Sequence, residues 1–176
     1  MKIHTTAIGG VHVIEPTRMA DDRGYFARTW DRDAFEQAGL DTGLHICAVT
    51  QNKHRGTLRG MHFQTGQHAE TKLVRVTRGA IFDVAVDLRP ESPTYLRWHG
   101  ERLTAENGRQ LYIPKGCAHG YLTLEDDSEL AYMLSAAYAP QHADGARYDD
   151  PAFGIAWPEA VRVIAPRDAA YTLVRR

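Results

Sequence analysis

Ile81-Phe82-Asp83-Val84-Ala85-Val86-Asp87-Leu88 alternates strictly. Asp83, Ala85 and Asp87 share one face of an extended chain, and Phe82, Val84, Val86 and Leu88 share the other, because successive side chains of a strand point to opposite sides. The run lies between Arg78-Gly79 and Arg89-Pro90-Glu91-Ser92-Pro93, both turn signals, and so reads as a β-strand. Outward from it the same signals recur. Ile46 to Thr50, Thr71 to Thr77, Leu96 to Leu103, Arg109 to Ile113, Gly120 to Leu124 and Ser128 to Tyr138 are short apolar or β-branched runs. Glu106-Asn107-Gly108, Pro114-Lys115-Gly116 and Glu125-Asp126-Asp127 punctuate them. This spacing predicts an all-β sandwich or barrel of antiparallel strands, not βαβ units.

Helices are expected only at the periphery. Asp31 or Asp33 caps a short segment through Phe35 and Ala38 that stops at Gly39. A second short piece is expected around Glu159 and Ala160. Ala139 to Trp157, rich in Asp, Gly and Pro, reads as a structured loop.

At 176 residues the chain is expected to form one domain, residues 1–176, with a sizeable core. A net charge of -1 offers no basic excess for nucleic acid. No window approaches the length of a membrane span, and MKIHTTAIGG does not read as a signal peptide, so the cytoplasm is the expected location. Cys47 and Cys117 form no ligand motif and are expected to be buried thiols.

The chemistry concentrates in Leu58-Arg59-Gly60-Met61-His62-Phe63-Gln64. Regular alternation would point Arg59 and His62 to opposite sides, but Gly60 frees the backbone to bring both to one pocket. An arginine that grips phosphate beside an imidazole that handles a proton suits an anionic substrate. Asp83 is either a pocket carboxylate or a solvated one, the pattern alone leaving both open. His119, between Ala118 and Gly120, lines a cavity or is a hydrogen-bonded core histidine. Tyr132 and Tyr138 would share a face if their strand were continuous. His62, His68, Glu70 and His119 lack the close-spaced histidine pair expected to anchor a transition metal, so metal-free chemistry is expected. No P-loop or dinucleotide fingerprint is present, which leaves phosphates to side chains such as Arg59, Lys72 and Arg23.

Several stretches together resemble the dTDP-4-dehydrorhamnose 3,5-epimerases of the cupin superfamily. They are Asp22-Arg23-Gly24-Tyr25-Phe26, Leu58 to Gln64, Lys72-Leu73-Val74-Arg75, Asp83 to Arg89, Ile113 to Gly120 and Asp150 to Pro158. The resemblance implies a jelly-roll of two packed antiparallel sheets, in a homodimer that exchanges N-terminal strands. It implies a reaction without metal or organic cofactor that inverts C3, C5 or both in a nucleotide-diphosphate 4-keto-6-deoxyhexose. By resemblance His62 is the base, Asp168 its dyad partner, Tyr132 the acid on the other face of the sugar, and Lys72 a cation for the developing oxyanion. Arg59 resembles a phosphate contact, Asp83 and His119 resemble pocket residues around the sugar, and Tyr138 an aromatic near the substrate. Arg23 and Phe26 resemble nucleotide contacts supplied across the dimer.

Two other readings share the cavity: a non-catalytic nucleotide-sugar binder, and a 3,4-ketoisomerase on the same fold. His62, Tyr132 and Asp168 together argue against the binder. The chain departs from the family pattern at Arg28, in the nearly apolar Ile46-Cys47-Ala48-Val49-Thr50, and at Ala143. Loss of polar groups at a recognition site changes which partner it pairs with, so a different nucleotide or a modified sugar is expected.

Overall fold

The computed structural model describes residues 1–174. In chain order the elements are β1 (Lys2–Thr5), β2 (His12–Glu15), β3 (Met19–Asp21), β4 (Gly24–Phe26), α1 (Arg32–Gln37), β5 (Ile46–Asn52), β6 (Thr57–Gln64), β7 (Lys72–Arg78) and β8 (Ala80–Asp87). They continue as β9 (Trp98–Thr104), β10 (Gln110–Ile113), β11 (Cys117–Thr123), β12 (Ser128–Leu134), β13 (Ala143–Gly145), β14 (Val163–Ile164) and α2 (Pro166–Ala169). One sheet runs β1-β2-β10-β7-β12-β5 and the other β13-β6-β11-β8-β9, with the short β14 parallel to β6. The remaining pairings are antiparallel, which makes the architecture the expected jelly-roll of two packed sheets. Strands β3 and β4 form a separate hairpin.

Three layers of side chains hold the sheets. Val13, Val74, Val76, Ile81, Ala85, Leu103, Leu111 and Leu130 fill the space between them. On the back of the second sheet Met61, Val84, Val86 and Ala118 pack under Phe153, Ile155 and Trp157. On the back of the first sheet Leu73 and Tyr112 pack under Phe35 of α1. That helix begins as expected, with Asp31 Oδ1 accepting from Ala34 N–H at 3.3 Å, and Gly39 follows its end at φ +71°. The alternation of β8 now has a direction. Its apolar even face lies under the C-terminal segment, while the odd face, with Asp83, looks between the sheets.

Several expectations are corrected. Strand β12 ends at Leu134, because Ser135 turns away to accept Thr71 N–H on its hydroxyl and to donate its own N–H to Thr71 O. Tyr132 and Tyr138 therefore do not share one strand. Strand β9 starts at Trp98, since Leu96 adopts φ +63° in the preceding turn. The helical piece near Glu159 is absent; the short helix starts instead at Pro166, whose fixed φ suits a first helical position. Cys47 is exposed on the outer side of the edge strand β5, whereas Cys117 is buried, its thiol pushed up to about 12 by desolvation. Among the described residues, no helix is long and apolar enough to cross a membrane.

Candidate active site

A cavity of about 420 Å³ opens between the sheets. From the second sheet Arg59, His62 and Gln64 of β6 and His119 and Tyr121 of β11 line it; from the first come Ala48 and Thr50 of β5, Lys72 of β7, and Tyr132 and Leu134 of β12. Tyr138, Ala143, Asp144 and Arg167 stand among its remaining walls.

Arg59 and His62 reach the same cavity because the ladder slips between them. His62 pairs with His119 and Arg59 with Tyr121, so three steps on β6 oppose two on β11. This is a β-bulge, and it turns one extra residue out of register. His119 and Tyr121 share a face, and their partners therefore share it too. Gly60 sits in the slip at φ +130°, and a Cβ there would lie 2.5 Å from Gly120 Cα.

His62 Nε2 donates to Asp168 Oδ1 at 2.8 Å, and Asp168 Oδ2 accepts Gly60 N–H at 3.0 Å. Asp168 is buried, delivered by α2 from the far end of the chain. Burial alone would raise its carboxyl. The hydrogen bonds from His62 and Gly60 outweigh that and hold it below the ordinary carboxylate value. With Nε2 committed, Nδ1 is the nitrogen left to accept a proton. The Tyr171 ring packs edge-on to the imidazole, with centroids 6.1 Å apart.

Asp83 proves to be fully buried, its Oδ1 accepting from His119 Nε2 at 2.7 Å. Across the cavity Tyr132 meets the edge of the His119 ring, with centroids 6.0 Å apart. Its phenol is pushed well above the ordinary value, first by desolvation and then by its neighbours Tyr121 and Asp83. Lys72 Nζ lies 3.1 Å from Glu70 Oε1 and donates to the His62 carbonyl at 3.4 Å. Arg59 Nε donates to Asn52 Oδ1 at 2.8 Å. Tyr138 remains near the cavity through Gln64, which accepts Ala139 N–H at 2.7 Å and donates to Ala137 O at 3.2 Å.

The cavity thus gathers His62, Tyr132, Lys72, Arg59, His119 and Tyr138 on its walls, with Asp168 and Asp83 behind the two histidines. It does not gather Arg23 and Phe26, which lie on the exposed β3–β4 hairpin, where Arg23 pairs with Asp21 at 2.6 Å. Sequence reasoning missed Arg167, whose guanidinium lies 3.4 Å from the Tyr138 hydroxyl. Its adjacency to Asp168 was the available signal. It also missed Glu70 as the partner of Lys72, and Asn52, which no motif marks. Among the described residues, no group of three or more His, Cys, Asp or Glu side chains is placed to hold a metal ion.

Comparison with known proteins gives one consistent result. A family model described as dTDP-4-dehydrorhamnose 3,5-epimerase matches residues 5–176. The dTDP-4-dehydrorhamnose 3,5-epimerase of Sinorhizobium fredii is 42% identical over 171 residues, covering 97% of this chain and 88% of that protein. The crystal structure of the Bacillus anthracis dTDP-4-dehydrorhamnose 3,5-epimerase, with TDP and PPi bound, superposes with a TM-score of 0.94 at 36% identity, covering 98% of this chain and 99% of that one. The Legionella pneumophila dTDP-6-deoxy-D-glucose-3,5-epimerase, in complex with dTDP-4-keto-L-rhamnose, gives a TM-score of 0.92 at 37% identity, covering 98% and 92%. In sequence along nearly its whole length, and in the path of its backbone, this chain belongs to the dTDP-4-dehydrorhamnose 3,5-epimerase family.

Proposed function

We infer that the chain is an epimerase that inverts carbons beside the keto group of a nucleotide-linked 4-keto-6-deoxyhexose. One observation carries the residue roles: His62 and Tyr132 line a single cavity from opposite sheets. A hydrogen next to a ketone is acidic because the resulting carbanion delocalises into an enolate. His62 takes that proton on Nδ1, while Asp168 holds the ring and stabilises the imidazolium that forms. Lys72 offers a cation to the C4 oxygen as charge grows there. Tyr132 then returns a proton to the opposite face, and the stereocentre inverts. Return of a proton from His62 restores the starting sugar.

Arg59 grips the diphosphate, with His119 and Asp83 around the sugar and Tyr138 near the substrate end of the pocket. A second copy of the chain supplies Arg23 and Phe26 to complete the nucleotide site. The Legionella relative holds a dTDP-4-keto sugar, which supports a nucleotide sugar of this class here. Ala48 and Ala143 place methyl groups in the wall where the sequence departs from its family, and this favours a different base or a modified sugar.

The test is solvent deuterium entering C3 and C5 of dTDP-4-keto-6-deoxyglucose. Inversion with deuterium is expected of the unmodified protein; a binder would show neither, and a ketoisomerase would move the keto group. His62→Ala should abolish exchange with nucleotide binding largely kept, and exchange at the unmodified rate would remove His62 as the base. The same assay with CDP, UDP and GDP forms reads the carrier, and a marked preference for dTDP would defeat the altered-base reading.

A further inference from the structure

Beside Tyr132 stands a second phenol. Tyr121 is 2% exposed, lines the same cavity, and sits directly opposite Arg59 in the β6–β11 ladder. Its hydroxyl donates to Asn52 Oδ1 at 3.2 Å, the same oxygen that accepts Arg59 Nε at 2.8 Å. Asn52 is itself 2% exposed and spends its Nδ2 on Ser128 O at 3.3 Å. An amide oxygen has two lone pairs, and both are taken. The Tyr121 and Tyr132 rings both approach His119, with centroids 6.2 and 6.0 Å from it, and both phenols line the one cavity. Four strands from both sheets thus contribute to one row, in which Asn52 and Tyr121 are buried, Tyr132 is half-buried and Arg59 is exposed.

The proposed reaction makes a specific demand on this row. When Tyr132 protonates the enolate, its O–H bond breaks, a C–H bond forms, and the electron pair stays on the phenol oxygen. The phenolate then sits in a half-buried wall that also holds His119 and its partner Asp83, whose Oδ2 is buried with no hydrogen-bond partner among the described residues. An anion so placed is costly unless a donor meets it. A hydroxyl rotates about its C–O bond, and the Tyr121 O–H turns from Asn52 to the new anion without moving its ring. Asn52 meanwhile keeps the Arg59 charge nearby. Burial pushes Tyr121 itself up to about 12, so it keeps its proton to donate.

We propose that Tyr121 is a positioning residue for the acid, turning its hydroxyl to hydrogen-bond the Tyr132 phenolate after proton delivery. The inference rests on the reading of Tyr132 as the acid, and the test separates the two.

Tyr121→Phe, Tyr132→Phe and the unmodified protein are incubated in deuterium oxide with dTDP-4-keto-6-deoxyglucose. Two rates are read: deuterium entering recovered substrate, which reports proton removal by His62, and formation of inverted product. Tyr121→Phe should slow inversion at least about tenfold, the worth of a hydrogen bond to a charged group, while exchange into substrate stays within about threefold. A merely structural loss lowers both rates together, and a parallel fall would overturn the proposal, as would an unchanged ratio. Tyr121→Leu is the second variant, and it serves if Tyr121→Phe does not fold. It also removes the hydroxyl and should move the same ratio in the same direction; a ratio equal to that of the unmodified protein would also overturn the proposal. Tyr132→Phe reports on the parent reading alone. Inversion at the unmodified rate there removes Tyr132 as acid, whereas its loss beside an unaltered Tyr121→Phe removes only the role of Tyr121.

Discussion

At the scale of single residues, Gly60 decides whether the site exists. Its φ of +130° is one that L side chains rarely adopt, and a Cβ would meet Gly120 Cα at 2.5 Å and the His119 carbonyl oxygen at 2.8 Å. Both obstacles are backbone and have no rotamer by which to yield. Gly60→Ala is therefore expected to push β6 from β11, to lose most activity, and to destabilise the fold by about 2 kcal/mol or more, the range for strained backbone sites. Urea denaturation and the deuterium assay check this together; a variant with unmodified stability and rate would show that the slip tolerates a side chain. The glycine was legible as a place where alternation breaks, because a histidine and an arginine three apart on a strand otherwise diverge. Asn52 and Glu70 were not legible. Each acts by touching a residue distant in sequence or on a turn, and neither carries a spacing that marks its partner.

At the scale of elements, connections hold as much structure as strands. The loop from β8 to β9 is organised by Asp87, which is fully buried. Its carboxylate accepts from Arg89 Nε at 2.8 Å, Ser92 Oγ at 2.5 Å, Thr94 Oγ1 at 2.7 Å and Arg89 N–H at 3.0 Å. Desolvation would raise this carboxyl, but the combined donors hold it far below its ordinary value. A depressed folded pKa means that its contribution is complete above the unfolded value, about 3.9, and drains away as pH falls below that. Asp87→Asn should cost about 1–3 kcal/mol near neutrality, and the acid limb of its stability should fall less steeply than that of the unmodified protein. Urea midpoints measured from about pH 5 down to about pH 2.5 decide the matter, and parallel acid limbs would exclude Asp87 as the titrating group.

The same scale explains which elements the sequence revealed. Strands β7, β8, β10 and β11 are covered on both sides, so their apolar runs are dense and conspicuous. Strands β1, β3 and β4 are short and mostly exposed, and exposure removes the pattern that would mark them. The overrun of β12 has a different cause: Ser135 to Tyr138 keeps a strand-like composition after Thr71 has turned the chain aside.

At the scale of the whole molecule, the β3–β4 hairpin stands apart from the two packed sheets. Met19, Tyr25 and Phe26 are 57%, 57% and 62% exposed on it, an apolar cluster with little cover from its own chain. Arg23 lies at the hairpin tip, outside the cavity that the resemblance assigns it to. A homodimer that passes the hairpin to its neighbour would resolve both facts and would make the site a property of two chains. Complementation tests that assembly directly. An Arg23→Ala, Phe26→Ala double variant keeps His62 but lacks a working hairpin; His62→Ala keeps the hairpin but lacks the base. Each alone should be nearly inactive at limiting substrate. Unfolded together and refolded at equal amounts, they should form mixed dimers in which one site receives the intact hairpin beside an intact His62. Random pairing puts half the molecules in mixed dimers with one sound site in two, so about one site in four should work. Activity that stays at the level of the separate variants would mean that the hairpin serves its own chain or none, and the dimeric site would be withdrawn.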